Sequence, residues 1–444
     1  MDFTRLFVSY IRSFCTRAFS EDEMHQVYRC VLDWLGVSEA GAFALGNRLN
    51  DLEKLSSQGS CSCFLSSKRI DAINAAFLNG YAAHVLELDD GHRKGMLHLE
   101  ALIVTALIAV SQQERLSYEA FVKGMIAGYQ TTVKLACLIQ PSHKLNGFHA
   151  TGTCGAIGVA SAVAVALNLS ETEHINAIGA ASTRAAGLLG ALDSPSEIKP
   201  YNISGAIEVG IRSAYLAKAG FQGPYDPLWG KRGFLRVFAP DVDVTQTAFD
   251  DSSEILNIYF KPFVSCRHCH APVEAAIILY NKYKIAFEEV HDIRVETYRL
   301  AIDGHDSHSV ESVAEAKMSI PFCVAVSLKS GACDLSSFTE ESVTDVGIKA
   351  LMRKVHVSED ECLTSLSPNK RGARVLVTMN DGSVYEEMVD NPLGEPEHPM
   401  SDDMIKAKYS GLMDFAGIDR DLACKFKDMV LDLGHYFDVF LDTI

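Results

Sequence analysis

The chain has 444 residues, 48% of them hydrophobic and 22% charged, an ordinary water-soluble globular composition for a protein of two or three domains. Its formal net charge is −17, from 40 basic against 57 acidic residues, and a field of that sign repels nucleic acid and anionic membranes, so both are excluded as partners. A small anionic ligand is not excluded, because a local group of Lys, Arg and His overrides the global field.

The opening "MDFTRLFVSYIRSFCTRAF" is amphipathic, with three arginines and one acid, and is compatible with a mitochondrial presequence. The reading preferred here is a first domain helix with Leu6, Tyr10 and Phe14 on one face. A second helix follows at once, started by a Ser20…Glu23 capping box. Residues 1 to about 250 read as helical throughout. A helix is predicted over 117–139 from Ser117, and Ser170–Glu173 forms another capping box. Runs such as "NAAFLNGYAAHVL", "GAIGVASAVAVAL" and "GAIEVGIRSAYLAKAG" predict buried helices whose small residues let their axes approach closely. "GTCGAIG" follows no predicted strand, so it is not a dinucleotide fingerprint. No charge-free run reaches the roughly 18 residues of a membrane span.

The texture changes near 255. "IRVETYRLAI" (293–302) alternates like a strand, "KVHVS" (354–358) is a short β-prone run, and "RVLVTMNDGSVYEEMV" (374–389) reads as a hairpin turning at Asp381-Gly382. Helical stretches lie between them, "TEESVTDVGIKALMRKV" among them. The expected fold is mainly α with a smaller α+β domain. Residues 1–257 and 397–444 make an all-α helical domain from both chain ends, and 258–396 form the inserted α+β domain. Twelve cysteines at irregular spacing, several in apolar runs (Cys137, Cys154, Cys323), read as free thiols of a reducing, cytoplasmic compartment rather than as a disulfide framework.

Four polar groupings stand out. "HVLELDDGHRKGMLHLEA" packs His84, Glu87, Asp89, Asp90, His92, Arg93, Lys94 and His98 between two apolar runs, where burial tunes carboxylates and imidazoles for acid–base work. His149 precedes a small-residue helix, whose N-terminus attracts an anion. Lys199 lies in the polar, Pro-punctuated break "DSPSEIKPYNISGA" (193–206) and is placed to pair with a carboxylate. In "SCRHCH", Cys266, His268, Cys269 and His270 offer metal-ligand or dithiol chemistry. No second C-x-x-C exists to complete a zinc site, and no βα unit supports a thioredoxin-like one. Each residue also has a plain structural reading, as a solvated loop group, a cap or a packed side chain.

Taken together, these segments resemble the MmgE/PrpD family over nearly the whole chain. "VLDWLGVSEAG" is similar to the family's "LDxLGxxxAG" helix, "FLNGYAAHVLELDDGH" to "xxNGxxAHxxDxDD", and "GFHATGTCGAIGVASA" to "GxHxTxxxGxxGAA". "KPYNISGA", "KPFVSCRHCHAPVEAA", "AEAKMSIPFCVAVSL" and "NPLGEPEHPMSDDMIKAKY" match further motifs in order. The resemblance implies a homodimer in which the α+β domain acts as a lid. It also implies a small di- or tricarboxylate substrate and a reaction needing neither metal nor other cofactor. By matching positions, His98 and His149 are expected to transfer protons, Lys199 to anchor a carboxylate or act as acid, and Asp90 and Glu87 to orient the histidines or move protons. The expected substrate-binding set is His92, Lys261, Arg267, His270 and Phe322, with Lys261, Arg267 and His270 on the lid side.

Within that resemblance the first expectation is dehydration of a 2-methylcitrate-like hydroxy acid. Decarboxylation of cis-aconitate and epimerisation of a substituted succinate are the alternatives. The chain departs from the family at Glu87 (usually Asp), Gly91 (often Thr), Leu99-Glu100 (commonly Pro-Gly) and Phe322 (often Tyr). Two readings of other classes stand beside these: a zinc-dependent hydrolase built on 266–270, and a catalytically silent dimeric homologue.

Overall fold

The computed structural model describes residues 2–192, 196–244, 247 and 249–444, so the first residues of the 193–206 break lie outside the described residues. The chain divides into two compact units. One comprises Met1–Leu189, Ile198–Ile258 and Ser401–Ile444; the other comprises Gly190–Glu197 and Tyr259–Met400. The chain is mainly helical, with a small mixed sheet in the second unit.

In the first unit, α1 (Phe3–Thr16) is followed by α2 (Glu21–Leu45), which starts on the Ser20–Glu23 capping box. The buried face of α1 is Phe3, Phe7, Ile11 and Phe14, while Leu6 is 47% exposed. The expected Leu6–Tyr10–Phe14 face is thus rotated. The cause is a distant aromatic, Phe249, whose ring packs on Phe3, Phe7 and Tyr10. A second departure follows: β1 (Gln58–Cys63) and β2 (Ser66–Ile70) form an antiparallel hairpin where helix was expected. Cys61 and Cys63 are both buried, a period of two rather than 3.6, and Ser62 N–H donates to the Gln112 side chain instead of a helical carbonyl.

The small-residue helices build the core. These are α3 (Ala72–Val85), α4 (Glu100–Glu114), α5 (Tyr118–Ile139, capped by Ser117), α6 (Ala150–Ala166), α7 (Glu171–Ser182, with the Ser170–Glu173 capping box) and α8 (Lys199–Lys218). Helix α6 packs on α5 and α8, and α8 also packs on α3 and α7. The approach is close enough to require glycine: a Cβ at Gly210 would stand 2.9 Å from the Ala156 carbonyl oxygen. No described helix is long and apolar enough to cross a membrane.

In the second unit, α9 (His270–Tyr283) and α10 (Ile320–Ser330) pack together. The sheet has strand order β4-β3-β5-β6. Here β3 is Val290–Thr297, β4 is Val355–Glu359, β5 is Ala373–Met379 and β6 is Val384–Val389. Strands β3 and β4 are parallel, and the other pairings are antiparallel. Val290, Ile293, Val295, Val375 and Val377 alternate on the buried face. The predicted single helix over 339–355 is two short ones, divided at Asp345, whose side chain caps the second at Ile348 N–H. Helices α11 (Asp402–Phe415), α12 (Arg420–Leu431) and α13 (Leu433–Thr443) belong to the first unit, where α11 packs on α2.

Candidate active site

The site is built where α3 ends. Its last turn carries His84, and three residues later Glu87 turns back with φ of 55°. That left-handed conformation after a helix usually falls to glycine and costs another residue about 1 kcal/mol. The turn brings Glu87 Oε1 to 3.4 Å from His84 Nε2 and into direct contact with Lys199 Nζ. Lys199 opens α8, and Pro200 behind it fits a helix start, where its missing N–H costs nothing.

The other nitrogen of His84 faces Asp89. Its Nδ1 lies 2.9 Å from Asp89 Oδ2, and His98 Nδ1 lies 3.3 Å from the same oxygen. The two rings meet edge to face at 4.6 Å. Lys199, Glu87, His84, Asp89 and His98 therefore form one continuous chain of alternating basic and acidic side chains. Burial pushes the Asp89 carboxyl up, but the charges of His84 and His98 and their hydrogen bonds outweigh it and hold it well below the usual carboxylate range. Neither His84 nor Asp89 was among the expected catalytic residues, although both lie in the 84–98 cluster.

Asp90 works differently from its neighbour. Its Oδ1 accepts from Leu99 and Glu100 N–H at 3.0 and 2.8 Å, capping α4, and its Oδ2 accepts from the Tyr129 hydroxyl at 3.0 Å. It orients His98 through its backbone: the Asp90 carbonyl lies 2.8 Å from His98 Nδ1. A carbonyl and an ionised carboxylate only accept, so Nδ1 of His98 carries a proton and Nε2 is the nitrogen left to exchange one. Burial raises the Asp90 carboxyl to about 7, against the Glu100 N–H that favours its ionised form.

Glu100 is completely buried beside Asp33 and Asp90. Burial, then the charges of Asp33 and Asp90, push its carboxyl well above the normal range, with Lys408 opposing. Lys408 Nζ sits 2.7 Å from Asp33 and 2.7 Å from the Leu88 carbonyl. Glu100 stands where the resemblance leads one to expect glycine.

His149 is the N-cap residue of α6. Asn202 Nδ2 lies 3.1 Å from its Nδ1 and 3.3 Å from the Leu188 carbonyl. The carbonyl fixes Nδ2 as the amide's donor end, so His149 Nδ1 accepts and its Nε2 bears the proton. Burial, then the charges of Lys199, His84 and His98, hold the imidazole well below its ordinary pKa and hence neutral. In this state His149 presents an N–H at Nε2.

The remaining expected residues are arranged as follows. His92 Nδ1 accepts from Gly95 N–H at 3.0 Å, and its Nε2 faces Glu254 at 3.6 Å. In the second unit, Lys261 and Phe322 are buried, the latter 5.9 Å ring to ring from Phe338. Arg267 uses all five of its donors within that unit. Nε and an Nη2 hydrogen go to Glu395, the other Nη2 hydrogen to the Pro392 carbonyl, and Nη1 to the Leu393 carbonyl and His270 Nδ1. His270 Nε2 donates to the Ser265 carbonyl at 3.3 Å. In this arrangement Arg267 braces the turn before α9 and holds no N–H out to an external anion.

The donors of "SCRHCH" point apart. Cys266 meets His305, His268 meets Tyr298, Cys269 meets the Met318 carbonyl and His270 meets Arg267. This removes the basis for a zinc centre at 266–270. Among the described residues, the one set with ligand atoms close enough to share an ion is His84, Asp89 and His98. Its fit to a metal is poor, because both Nδ1 atoms stand at hydrogen-bond distance from Asp89, and His98 Nδ1 is also committed to the Asp90 carbonyl. A cleft of about 420 Å³, lined by Ala72, Ile73, Gln113, Ile211, Tyr215 and neighbours, contains none of these groups.

The MmgE/PrpD N-terminal domain model matches residues 5–247, and the MmgE/PrpD C-terminal domain model matches 263–430. Among curated proteins, the chain is 27% identical to the cis-aconitate decarboxylase-like protein oryM of Aspergillus oryzae, over 86% of this chain and 84% of that one. It is 26% identical to a cis-aconitate decarboxylase of Aspergillus terreus, over 86% and 82%. A mitochondrial 2-methylcitrate dehydratase of Yarrowia lipolytica is 24% identical over only 42% of this chain and 39% of its own length.

Proposed function

The chain belongs to the MmgE/PrpD family, and from that premise we propose that it is a lyase that decarboxylates a small polycarboxylate of the cis-aconitate kind. The observation that carries the reading is His98, whose Nδ1 is held by Asp89 and the Asp90 carbonyl so that Nε2 is a proton donor with its charge supported from behind. Loss of carbon dioxide from the CH2–carboxylate arm breaks one C–C bond and leaves an allylic electron pair, delocalised through the double bond to the carboxylate at its far end. The His98 imidazolium gives its Nε2 proton to a carbon of this allylic system. Lys199, steadied by Glu87, pairs with a substrate carboxylate. His149 donates from Nε2 to the oxygen on which charge develops. The Asp89 carboxylate, ionised throughout, stabilises the His98 imidazolium through the cycle.

Decarboxylation now stands ahead of dehydration, reversing the order expected from the sequence, because the relatives with that printed activity are matched along most of their length. Dehydration remains the second reading, supported by the partial dehydratase match. Incubating the purified protein with cis-aconitate and, separately, with 2-methylcitrate, and following carbon dioxide release and the olefinic proton signals, separates the two. Carbon dioxide from the first substrate is expected; loss of water from the second with no carbon dioxide from the first would replace this reading. A homodimer is part of the proposal, to be checked by light scattering.

A further inference from the structure

"SCRHCH" holds neither a shared metal centre nor a dithiol, yet one of its cysteines is set in a reactive environment. Cys266 is partly exposed, and its Sγ lies 3.2 Å from His305 Nε2. His305 is 2% exposed, and its Nδ1 lies 2.8 Å from the Asp303 carbonyl. A carbonyl only accepts, so Nδ1 carries the proton and Nε2 turns its lone pair to the thiol. The backbone fixes the histidine on both sides: His305 N–H donates to the Ile302 carbonyl, and Ile320 N–H, at the start of α10, donates to the His305 carbonyl. Its ring packs 5.0 Å from that of His268, which is bonded in turn to the Tyr298 hydroxyl at 2.6 Å.

Cys266 also shares the surroundings of two buried phenols, Tyr259 and Tyr298, with Arg267, Arg371 and Glu395. The other cysteines of this unit are unlike it. Cys269 donates to the Met318 carbonyl, and Cys323 donates to the Ala316 carbonyl among Cys269 and Cys333.

We propose that Cys266 is a thiol activated by His305 and is this chain's site of covalent modification by soft electrophiles. His305 Nε2 takes the thiol proton and the thiolate attacks carbon. With an alkyl halide, an S–C bond forms as the C–halogen bond breaks and halide departs with its electron pair, leaving the proton on His305. With a conjugated carbonyl, the S–C bond forms at the β-carbon, the π pair moves to the α-carbon, and His305 returns the proton there.

The test is limited alkylation of the native protein with iodoacetamide at neutral pH, with occupancy of each cysteine read by peptide mass spectrometry. Cys362 and Cys424, both exposed, serve as internal references. Cys266 is expected to react about tenfold faster than either, as thiolate fraction outweighs exposure. In His305→Gln its rate should fall to theirs or below, while the two reference rates stay unchanged and so report an intact fold. Cys266 reacting no faster than Cys362 and Cys424 in the native protein would overturn the proposal, and that comparison needs no variant. So would an unaltered Cys266 rate in a folded His305→Gln protein.

Discussion

Asp89 Oδ2 lies 3.3 Å from His98 Nδ1, within a carboxylate that is wholly buried and held ionised by the two imidazoles it joins. On the proposed reaction this contact lets His98 take up and release a proton without losing its orientation. Asp89→Asn keeps the shape but removes the charge and one of the two acceptor roles. Turnover of cis-aconitate should fall about 10²–10⁴-fold, the usual span of a general-acid contribution. The thermal melt shows whether the fold persists; activity within fivefold of wild type in a folded variant would remove Asp89 from the mechanism.

His149 offers a sharper test, because its tautomer is set by one amide. Asn202→Asp replaces the donor at 3.1 Å with an acceptor, so the proton should move from His149 Nε2 to Nδ1. Nitrogen NMR of the imidazole reads that change directly, and kcat should drop tenfold or more as the donor to the substrate is lost. An unchanged tautomer would show that Asn202 does not control His149.

Lys199 and Glu87 form a largely buried pair, so removing Lys199 takes a direct counter-charge from Glu87 and leaves it the His84 contact at 3.4 Å. Lys199→Met should destabilise the protein by about 1–3 kcal/mol and raise KM by tenfold or more. Adding Glu87→Gln to it should recover most of the stability and none of the activity. Recovery of activity in the double variant would mean that Lys199 serves the fold rather than the substrate.

Glu100 gives a pH signature of defined sign. Its folded-state pKa is raised, so the folded chain keeps a proton that the unfolded chain releases above about 4.5. That contribution is complete below the unfolded value and is lost as pH rises through the folded one; Asp90, at about 7, acts in the same direction. Glu100→Gln should therefore match wild type near pH 4 and become more stable than it by pH 8, by about 1–3 kcal/mol for a buried charge relieved. Urea titrations of both proteins at the two pH values provide the check; a difference independent of pH would place the Glu100 proton elsewhere.

Features decided by neighbours along the chain were legible in the sequence. Ser20, Ser117 and Ser170 start helices because a side-chain oxygen meets an N–H three residues on, and the strands of the mixed sheet show in their alternation. Features decided by distant partners were not. The face of α1 depends on Phe249, and the use of Arg267 depends on Glu395, 128 residues later. The 84–98 cluster was recognisable as a grouping of polar side chains, but Asp89 and Asp90 differ only in which way the turn after α3 points each carboxylate. Composition and spacing carry no record of that direction.

On this mechanism His98 delivers its proton to the carbanion that loss of carbon dioxide leaves. The most direct measurement follows cis-aconitate turnover in D2O by proton NMR, for wild type and for His98→Gln, with substrate binding measured alongside. One carbon-bound deuterium is expected in the wild-type product. Turnover should fall at least about 100-fold in His98→Gln, with substrate Kd within about threefold. Turnover by a folded His98→Gln protein within fivefold of wild type would contradict it.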